Sequence, residues 1–510
     1  MNYPPSFVHE FIRRLESSSA GGFRPPDRDI PSYDFHDASE RDLLVTNSQP
    51  ESFQLGTGAS IFTNKLLPAI TSARHEFILV TCFWAPSKTL TALHDALSKL
   101  AEHRRLLLEG ARSQGSAAIP PLQVRICLSS RSLFQKLLHT QSPNGHVYPP
   151  SSWQKKLGLP EPGLLEAGGI QLQVKSLFFL PFSVMHPKFA IIDRERALVP
   201  SCNVSWEPWL EGCVEMGGDA VHALFAFYSR TWGEPPSFQP VSGEHGDTSN
   251  ATFDSRAANL TLIPSTAHHL TEFQSREPVP TLILPSSHHR NPHFHPFPWQ
   301  SSPTPPNTPL NTALLLLFEQ AQRSIYIQTP NITCEVVITA LLGALERGVN
   351  VTVVTNRNMM VLEQLVTAGT TTAWSLRSFI RRFGQLKAAA VGGETTGHGE
   401  GTAGHGDLEA ARWVGHLRIS YFRAKVQAAQ GEGSAEAEEP VHSHLKLTVV
   451  DSEYTVLGSG NLDRASLFTS QELGLMFYGQ EFCAGVKAGV DRVLEGRLDL
   501  VYDSDDVGGG

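Results

Sequence analysis

The chain contains one short pattern of chemically capable residues twice. In each copy a lysine follows a histidine by two positions, an aspartate follows the histidine by seven, a serine follows the aspartate by eight, and an asparagine follows the serine by two. The residues are His186, Lys188, Asp193, Ser201 and Asn203 in the first copy, and His444, Lys446, Asp451, Ser459 and Asn461 in the second. Two copies with the same spacing indicate an internal duplication.

Imidazole, ammonium and carboxamide groups together suit a tetrahedral oxyanion such as phosphate. The apolar runs Phe189–Ile192 and Leu447–Val450 predict buried strands, and residues two apart on a strand point to one side. The histidines would then face one phosphorus and divide attack from proton donation. The lysines and asparagines would contact the phosphate oxygens. The serines could be either phosphate ligands or turn formers.

The two motif aspartates are candidate catalytic residues by their place in the pattern, but their offset from the histidine is odd. Asp193 and Asp451 therefore lie on the opposite strand face. This parity predicts a structural salt bridge or a hydrogen bond at a turn for them.

The duplicated pattern resembles the HKD motif of the phospholipase D superfamily. That family includes phospholipases D, cardiolipin and phosphatidylserine synthases, some endonucleases and tyrosyl-DNA phosphodiesterases, and the intervening sequence is most similar to fungal phospholipase D/nuclease-like proteins. One departure is that the glycine usual before the motif serine is present as Gly458 but is Pro200 in the first copy. Proline restricts the turn and has no N–H, which predicts a differently shaped first phosphate shelf.

The resemblance implies an α/β fold of two phospholipase D-like domains about a pseudo-twofold axis, with one active site at their interface. It also implies a phosphohistidine intermediate on His186, with His444 as the acid. Glu472 matches the family's downstream glutamate, whose carboxylate would hold a histidine ring nitrogen. In the first half Glu211 or Glu215 could serve, and Glu211 is preferred because its spacing to a following glycine equals that of Glu472.

The predicted elements support the duplication, because the order helix, strand, helix, strand, strand occurs once on each side of a Pro-, Ser- and His-rich stretch. We predict a surface-lying lead-in at 1–45, a first domain at 46–234, a surface linker at 235–309, and a second domain at 310–505.

Composition narrows the functional classes. The formal net charge of −9 provides no global basic field, which counts against a nuclease without excluding one. The six cysteines are scattered and favour a reduced compartment. With no secretory signal or apolar run of spanning length, the expectation is a cytoplasmic protein with possible peripheral membrane contact.

The leading hypothesis is cleavage or transfer of a phosphatidyl group, with a phospholipid or another phosphodiester as the substrate. The alternatives are a nuclease or DNA-end phosphodiesterase, and a catalytically inactive phospholipid-binding protein. No cofactor and no metal are expected. A histidine cluster in the linker is either a metal site or a surface loop, and the loop is favoured; it comprises His288, His289, His293 and His295.

Overall fold

The structure, a computed structural model, describes most of the chain. The described residues are 4–20, 38–115, 119–131, 144–179, 183–233, 260–275, 277–287, 304–392, 413–425 and 437–506. The histidine cluster at 288–295 lies outside these ranges. None of the described helices combines the length and the hydrophobicity needed to cross a membrane.

In the first half, helices precede the first strand and lie between later strands. Its helices are α1 (Pro5–Ala20), α2 (Ala38–Asp42), α3 (Gly58–Ile61), a π turn (Phe62–Leu66), α4 (Leu67–Thr71), α5 (Lys88–Ser113), a 3-10 turn (Pro150–Ser152), α6 (Trp153–Leu157), α7 (Pro162–Ala167) and α8 (Asp219–Trp232). Its strands are β1 (Val45–Thr57), β2 (Glu76–Phe83), β3 (Leu122–Ser130), β4 (His146–Tyr148), β5 (Ile170–Ser176), β6 (Phe178–Phe179), β7 (Ser183–Val184), β8 (Phe189–Ile192), β9 (Arg196–Pro200) and β10 (Trp209–Gly217).

The second half repeats this order. Its strands are β11 (His269–Glu272), β12 (Val279–Ser286), β13 (Ser324–Gln328), β14 (Asn350–Thr355), β15 (Leu417–Phe422), β16 (His442–Ser443), β17 (Leu447–Val450), β18 (Tyr454–Gly458), β19 (Glu472–Tyr478) and β20 (Leu498–Asp503). Its helices are α9 (Pro309–Gln320), α10 (Glu335–Glu346), α11 (Val361–Ala368), α12 (Thr372–Gly392), α13 (Arg464–Phe468) and α14 (Gln480–Leu494).

Each half builds a sheet of its own, and the two sheets have equivalent strand orders. The first has the strand order β4-β5-β3-β2-β8-β9-β10-β1, and the second has β20-β15-β14-β13-β17-β18-β19-β12. In each, three parallel strands meet the strand that follows the motif lysine in antiparallel register. The predicted α/β fold of two related domains is confirmed.

Strand β1 joins the two sheets into one. Its first residues pair with β12 of the second half, and its later residues pair with β10 of the first. The core follows the same path, since one cluster of buried apolar side chains includes residues of both halves, such as Val214 and Leu475. This cluster is therefore shared between the halves, whereas a second cluster, which includes Leu79 and Leu97, belongs to the first half.

The prediction of a surface linker is wrong for residues 269–272, which form β11 and pair with β1. It is also wrong for residues 279–286. This second stretch is β12, which lies between β1 and β19 with Leu282, Ile283 and Leu284 almost fully buried. It occupies the place in the second sheet that β1 occupies in the first, so the second repeat begins about thirty residues before the predicted boundary at 310. The prolines and serines around the strand concealed its short apolar core, Leu282-Ile283-Leu284.

The N-terminal segment contains an amphipathic helix, α1, and this helix is not the surface-lying lead-in that was predicted. The apolar face of α1 is buried through Phe7, Phe11 and Leu15. The Phe7 ring lies 5.3 Å from the ring of Tyr454, and Arg14 pairs with Glu319 at 2.9 Å. The start of the chain thus packs on the second half.

These contacts predict how the chain can be divided. If it is split between residues 245 and 246, the fragments 1–245 and 246–510 should co-purify, because each keeps its own copy of the repeated sheet and they share β1–β12 pairing. Fragment 310–510, which lacks β12, should aggregate, because its β19 edge and apolar core lose their cover. Co-expression followed by size-exclusion chromatography measures both. A fragment 310–510 that is monomeric and as stable as 246–510 would contradict the assignment of β12 to the second repeat.

Candidate active site

The two motif histidines each contact a glutamate from the opposite half. His186 Nδ1 lies 2.8 and 3.0 Å from the two carboxylate oxygens of Glu472. His444 Nδ1 lies 2.8 Å from Glu211 Oε1. The geometry agrees with the preference for Glu211, since Glu215 instead contacts Lys65 and Ser52 at 2.9 and 3.0 Å.

Backbone hydrogen bonds across the two halves position the histidines. The His186 N–H donates to the carbonyl of Gln471, and the His444 N–H donates to the carbonyl of Leu210. Each of these carbonyls directly precedes the glutamate that holds the same ring. The histidines and lysines were predicted to lie within a strand, but β8 and β17 begin only after the lysine, because the histidine backbone pairs with the other half instead.

The motif serines contact the glutamates. The Ser201 hydroxyl donates to Glu211, and the Ser459 hydroxyl donates to Glu472 at 2.5 Å. Each hydroxyl also accepts the backbone N–H that follows the glutamate, at 2.9 and 3.0 Å. The structure therefore makes the serines positioning groups for the carboxylates, which is neither of the roles weighed from the sequence.

Charge and burial determine the protonation of these pairs. Burial alone would raise the pKa of Glu211 and of Glu472, but the partner histidine and the serine hydroxyl hold the pKa of each below its usual value. Burial lowers the pKa of His186, and it lowers the pKa of His444 to about 3 against the opposing effect of Glu211. Each carboxylate is thus ionised beside a neutral imidazole, so Nδ1 donates to it and Nε2 carries the lone pair.

The motif lysines lie close enough to both motif histidines to affect the pKa of each histidine. Lys188 Nζ donates to the carbonyl of His186 at 2.8 Å, and Lys446 Nζ donates to that of His444 at 2.7 Å. The charges of both lysines lower the pKa of both histidines. Burial lowers the pKa of Lys446 to about 7, with Lys188 acting in the same direction. An anion between these ammonium groups would relieve their repulsion.

The motif asparagines differ between the halves. Asn203 Oδ1 accepts the N–H of Phe83 at 3.1 Å, and within the described residues its Nδ2 makes no hydrogen bond. Asn461 Nδ2 donates to Asp463 at 3.1 Å, while its buried Oδ1 has no partner in the described chain. The Asn203 amide is therefore the better placed of the two as a donor to an oxyanion.

The motif aspartates accept hydrogen bonds from backbone N–H groups. The Asp193 carboxylate accepts the N–H groups of three consecutive residues, 74–76, at 2.8 to 3.0 Å. Asp451 accepts those of residues 322–324 at 2.7 to 2.9 Å. Both aspartates have positive φ. Their candidate catalytic role is thus replaced by the structural one that parity predicted, because the carboxylates are engaged at the far end of the strand.

The proline before the first motif serine leaves the serine in place. Gly458 has a φ of 152°, and a Cβ there would lie 2.2 Å from the carbonyl oxygen of Leu473. Pro200 occupies the equivalent register position, opposite Cys213 as Gly458 is opposite Gly474. The N–H groups of Ser201 and Ser459 nevertheless donate to equivalent carbonyls at 2.8 and 2.9 Å. The predicted difference is therefore confined to the residue before the serine.

Two residues of the site were not predicted from the sequence. Ser466 donates to Glu472 Oε1 at 2.7 Å from α13, a helix that the first half lacks. The Trp209 ring lies 4.9 Å from the His444 ring. Strand alternation could have indicated Trp209, because it lies two residues before Glu211 and so on the same strand face. No comparable signal existed for Ser466.

One group of possible metal ligands lies elsewhere in the described chain. Ligand atoms of His416, Asp503 and Asp505 lie within 4.8 Å of one another. His416 Nε2 already contacts Asp503 at 2.6 Å, and Arg418 lies 3.7 Å from the same carboxylate. Since His416 and Asp503 already pair with each other and Asp505 is largely exposed, we assign the cluster no ion.

Comparison with known proteins supplies a family match for the second half. The model for "Cardiolipin synthase, PLD-like domain" matches residues 314–494, which include the second motif and Glu472. A search of curated proteins finds no significant match.

Several solved structures are similar at low identity. Phosphatidylserine synthase of Haemophilus influenzae Rd KW20 is 13% identical, with 92% of this chain and 93% of that chain covered and a TM-score of 0.49. Polyphosphate kinase of Porphyromonas gingivalis is 11% identical, with 88% and 47% covered and a TM-score of 0.41. Nuc of Salmonella typhimurium, a phospholipase D family member, is 14% identical, with 38% and 90% covered and a TM-score of 0.24.

The family model covers one motif, and the first half repeats that motif with the same spacing, strand order and glutamate contact. Residues 314–494 thus match a phospholipase D-like domain, and the shared motif of the first half supports membership of the chain in the phospholipase D superfamily.

Proposed function

We propose that the protein is a phosphodiesterase or phosphatidyltransferase that acts on phospholipid through a phosphohistidine. Superfamily membership supports phosphodiester chemistry of this general kind. The observation that carries the proposal is the reciprocal pair of contacts, His186 with Glu472 and His444 with Glu211. This arrangement orients two neutral imidazoles of one site with their Nε2 lone pairs available.

In the first step, His186 Nε2 attacks the phosphorus and the bond to the leaving alcohol breaks. His444 donates a proton to that alcohol oxygen, and the His186–phosphoryl bond forms. The His186 side chain is 15% exposed and that of His444 is 4% exposed, which supports attack by His186. The low pKa of His444 alone favours the reverse assignment, but the arriving phosphate anion raises this pKa and allows His444 to hold the proton.

In the second step, His444 removes a proton from water or from an alcohol, whose oxygen then attacks phosphorus. The bond to His186 breaks, and the neutral imidazole is restored. Lys188 and Lys446 stabilise the charge on the non-bridging oxygens in both steps. Water yields hydrolysis and an alcohol yields phosphatidyl transfer through the same groups.

A phospholipid is the substrate class that fits best. The family model matched by residues 314–494 describes a cardiolipin synthase domain. The net charge of −9 offers no general attraction for a nucleic acid.

We expect turnover of phospholipid vesicles to exceed that of single- or double-stranded oligonucleotides at matched phosphodiester concentration, with a chelator present throughout. The chelator should not abolish turnover, because the histidines and lysines supply nucleophile, acid and charge. Released headgroup and released nucleotide are the readouts. Faster oligonucleotide cleavage that weakens steeply with salt would replace this proposal with a nuclease.

The proposed positioning roles predict matched losses of activity for two substitutions and no loss for a third. Glu211→Gln and Glu472→Gln should each lower kcat by about 10²- to 10⁴-fold, because a carboxamide favours the wrong imidazole tautomer and does not stabilise imidazolium. Glu215→Gln is the control, since this buried glutamate on the same strand contacts Lys65 outside the site. It should leave kcat near that of the wild type.

Steady-state turnover of a soluble chromogenic phosphodiester, with its pH profile, measures these effects. A loss with Glu215→Gln as large as that with Glu211→Gln would show that the loss arises from stability. It would remove the support for the proposed pairs.

A further inference from the structure

Helix α11 and the start of α12 expose large apolar side chains next to one another in the chain. Leu362, Leu365 and Val366 are 76%, 39% and 51% exposed, and Trp374 is 54% exposed. Leu362, Leu365 and Val366 follow the i, i+3, i+4 spacing of one helix face. We call these four residues with Arg377 and Arg381 the apolar docking face.

Hydrogen bonds on the opposite side of α11 fix this exposure. The buried Gln364 side chain donates to the carbonyl of Met359 at 2.6 Å and accepts the N–H of Thr372 at 2.6 Å. The Thr372 hydroxyl in turn accepts the N–H of Ile332 at 3.2 Å. The polar Gln364 therefore faces the protein, while Leu362, Leu365 and Val366 are exposed together with the acidic Glu363. An apolar side turned to solvent is unusual for a surface helix.

The docking face lies beside the active site. Asn356, which follows β14, exchanges two hydrogen bonds with Ser443 at 2.7 and 2.8 Å, and Ser443 directly precedes His444. Helix α11 also packs against α13, which holds Ser466 against Glu472. Two separate chains of contact thus connect this helix with the catalytic groups.

The charges around the face favour an anionic partner. Arg377 and Arg381 lie three and seven residues after Trp374, so they share its side of α12. Both are exposed, and α12 contains no acidic residue. The exposed part of α11 carries one acidic side chain, Glu363, against the two arginines of α12, so the balance of charge around the face is positive.

We propose that the apolar docking face seats the protein on the surface of an anionic phospholipid bilayer. Tryptophan, leucine and arginine are the residues that insert at such interfaces. Because the rest of the protein is acidic in total, the basic rim would also orient the active site toward the membrane. The proposal rests on the proposed function, because it states how a lipid substrate reaches the site.

The test compares Leu362→Glu/Val366→Glu with Leu106→Glu, a control on α5 whose leucine is 60% exposed. Flotation with vesicles of phosphatidylcholine and 30% phosphatidylglycerol measures binding. The double variant should bind at least about tenfold more weakly, whereas the control should bind like the wild type. Arg377→Gln/Arg381→Gln should lessen the dependence of binding on anionic lipid and on salt.

A second readout separates docking from folding and from chemistry. Turnover of a soluble chromogenic phosphodiester should be unchanged in the double variant, while turnover of vesicle lipid falls with binding. Vesicle binding that depends on the face, without lipid turnover, would retain the docking surface and reject the proposed function.

Three results would overturn the docking proposal. One is a wild-type protein that does not float with the vesicles, and another is a double variant that binds as well as the wild type. The third is a fall in oligomeric mass by light scattering on substitution, which would make a second copy the occupant.

Discussion

Each glutamate of the active site is buried, charged and satisfied by a histidine of the opposite half. Glu211 and Glu472 are 3% and 1% exposed, and a buried charge that loses its partner costs about 3–5 kcal/mol. Among the residues that the structure describes, the histidine that contacts each glutamate comes from the opposite half, so separating the halves would leave both carboxylates without this partner. The interface therefore contributes to folding and orients both imidazoles at the same time. The shared strand β1 and the continuous core supply the rigidity that this geometry needs.

The motif residues could be predicted from the sequence because their chemistry and spacing recur. The same recurrence of spacing was the reason to prefer Glu211, and in the structure Glu211 contacts His444. The direction of the pairs could not be predicted, since spacing along a chain does not say which half a side chain faces. The role of the motif serines could not be decided from the sequence for the same reason. Their hydroxyls reach the glutamates only because two strands lie in register.

The failure to predict strand β12 has a different cause. Its identity depends on neighbours on both sides, β1 and β19, which lie far from it in sequence. Prolines at positions 280 and 285 further weaken the local strand signal. Helix α1 was read as a lead-in because amphipathicity indicates a buried face and does not identify what covers it. Both errors concern long-range packing, whereas the local elements of the two repeats agreed with their patterns.

The halves differ in the segment between the motif asparagine and the glutamate. The position of Trp209 beside His444 corresponds to Ser470 in the second half, where α13 lies between Asn461 and Glu472. A duplicated catalytic centre tolerates such change because the reacting groups are held from the opposite half.

The most direct measurement of the central claim locates the covalent intermediate. His444→Ala is mixed with a phosphodiester whose leaving group is p-nitrophenolate, which needs no proton, and is then quenched in alkali and digested for mass spectrometry. The account predicts that the peptide containing His186 gains the mass of the phosphoryl group with its remaining ester substituent, and that this adduct persists because no base activates water. Release of p-nitrophenolate with no adduct on His186 would contradict the two-histidine mechanism, and an adduct confined to His444 in the wild type would reverse the two roles.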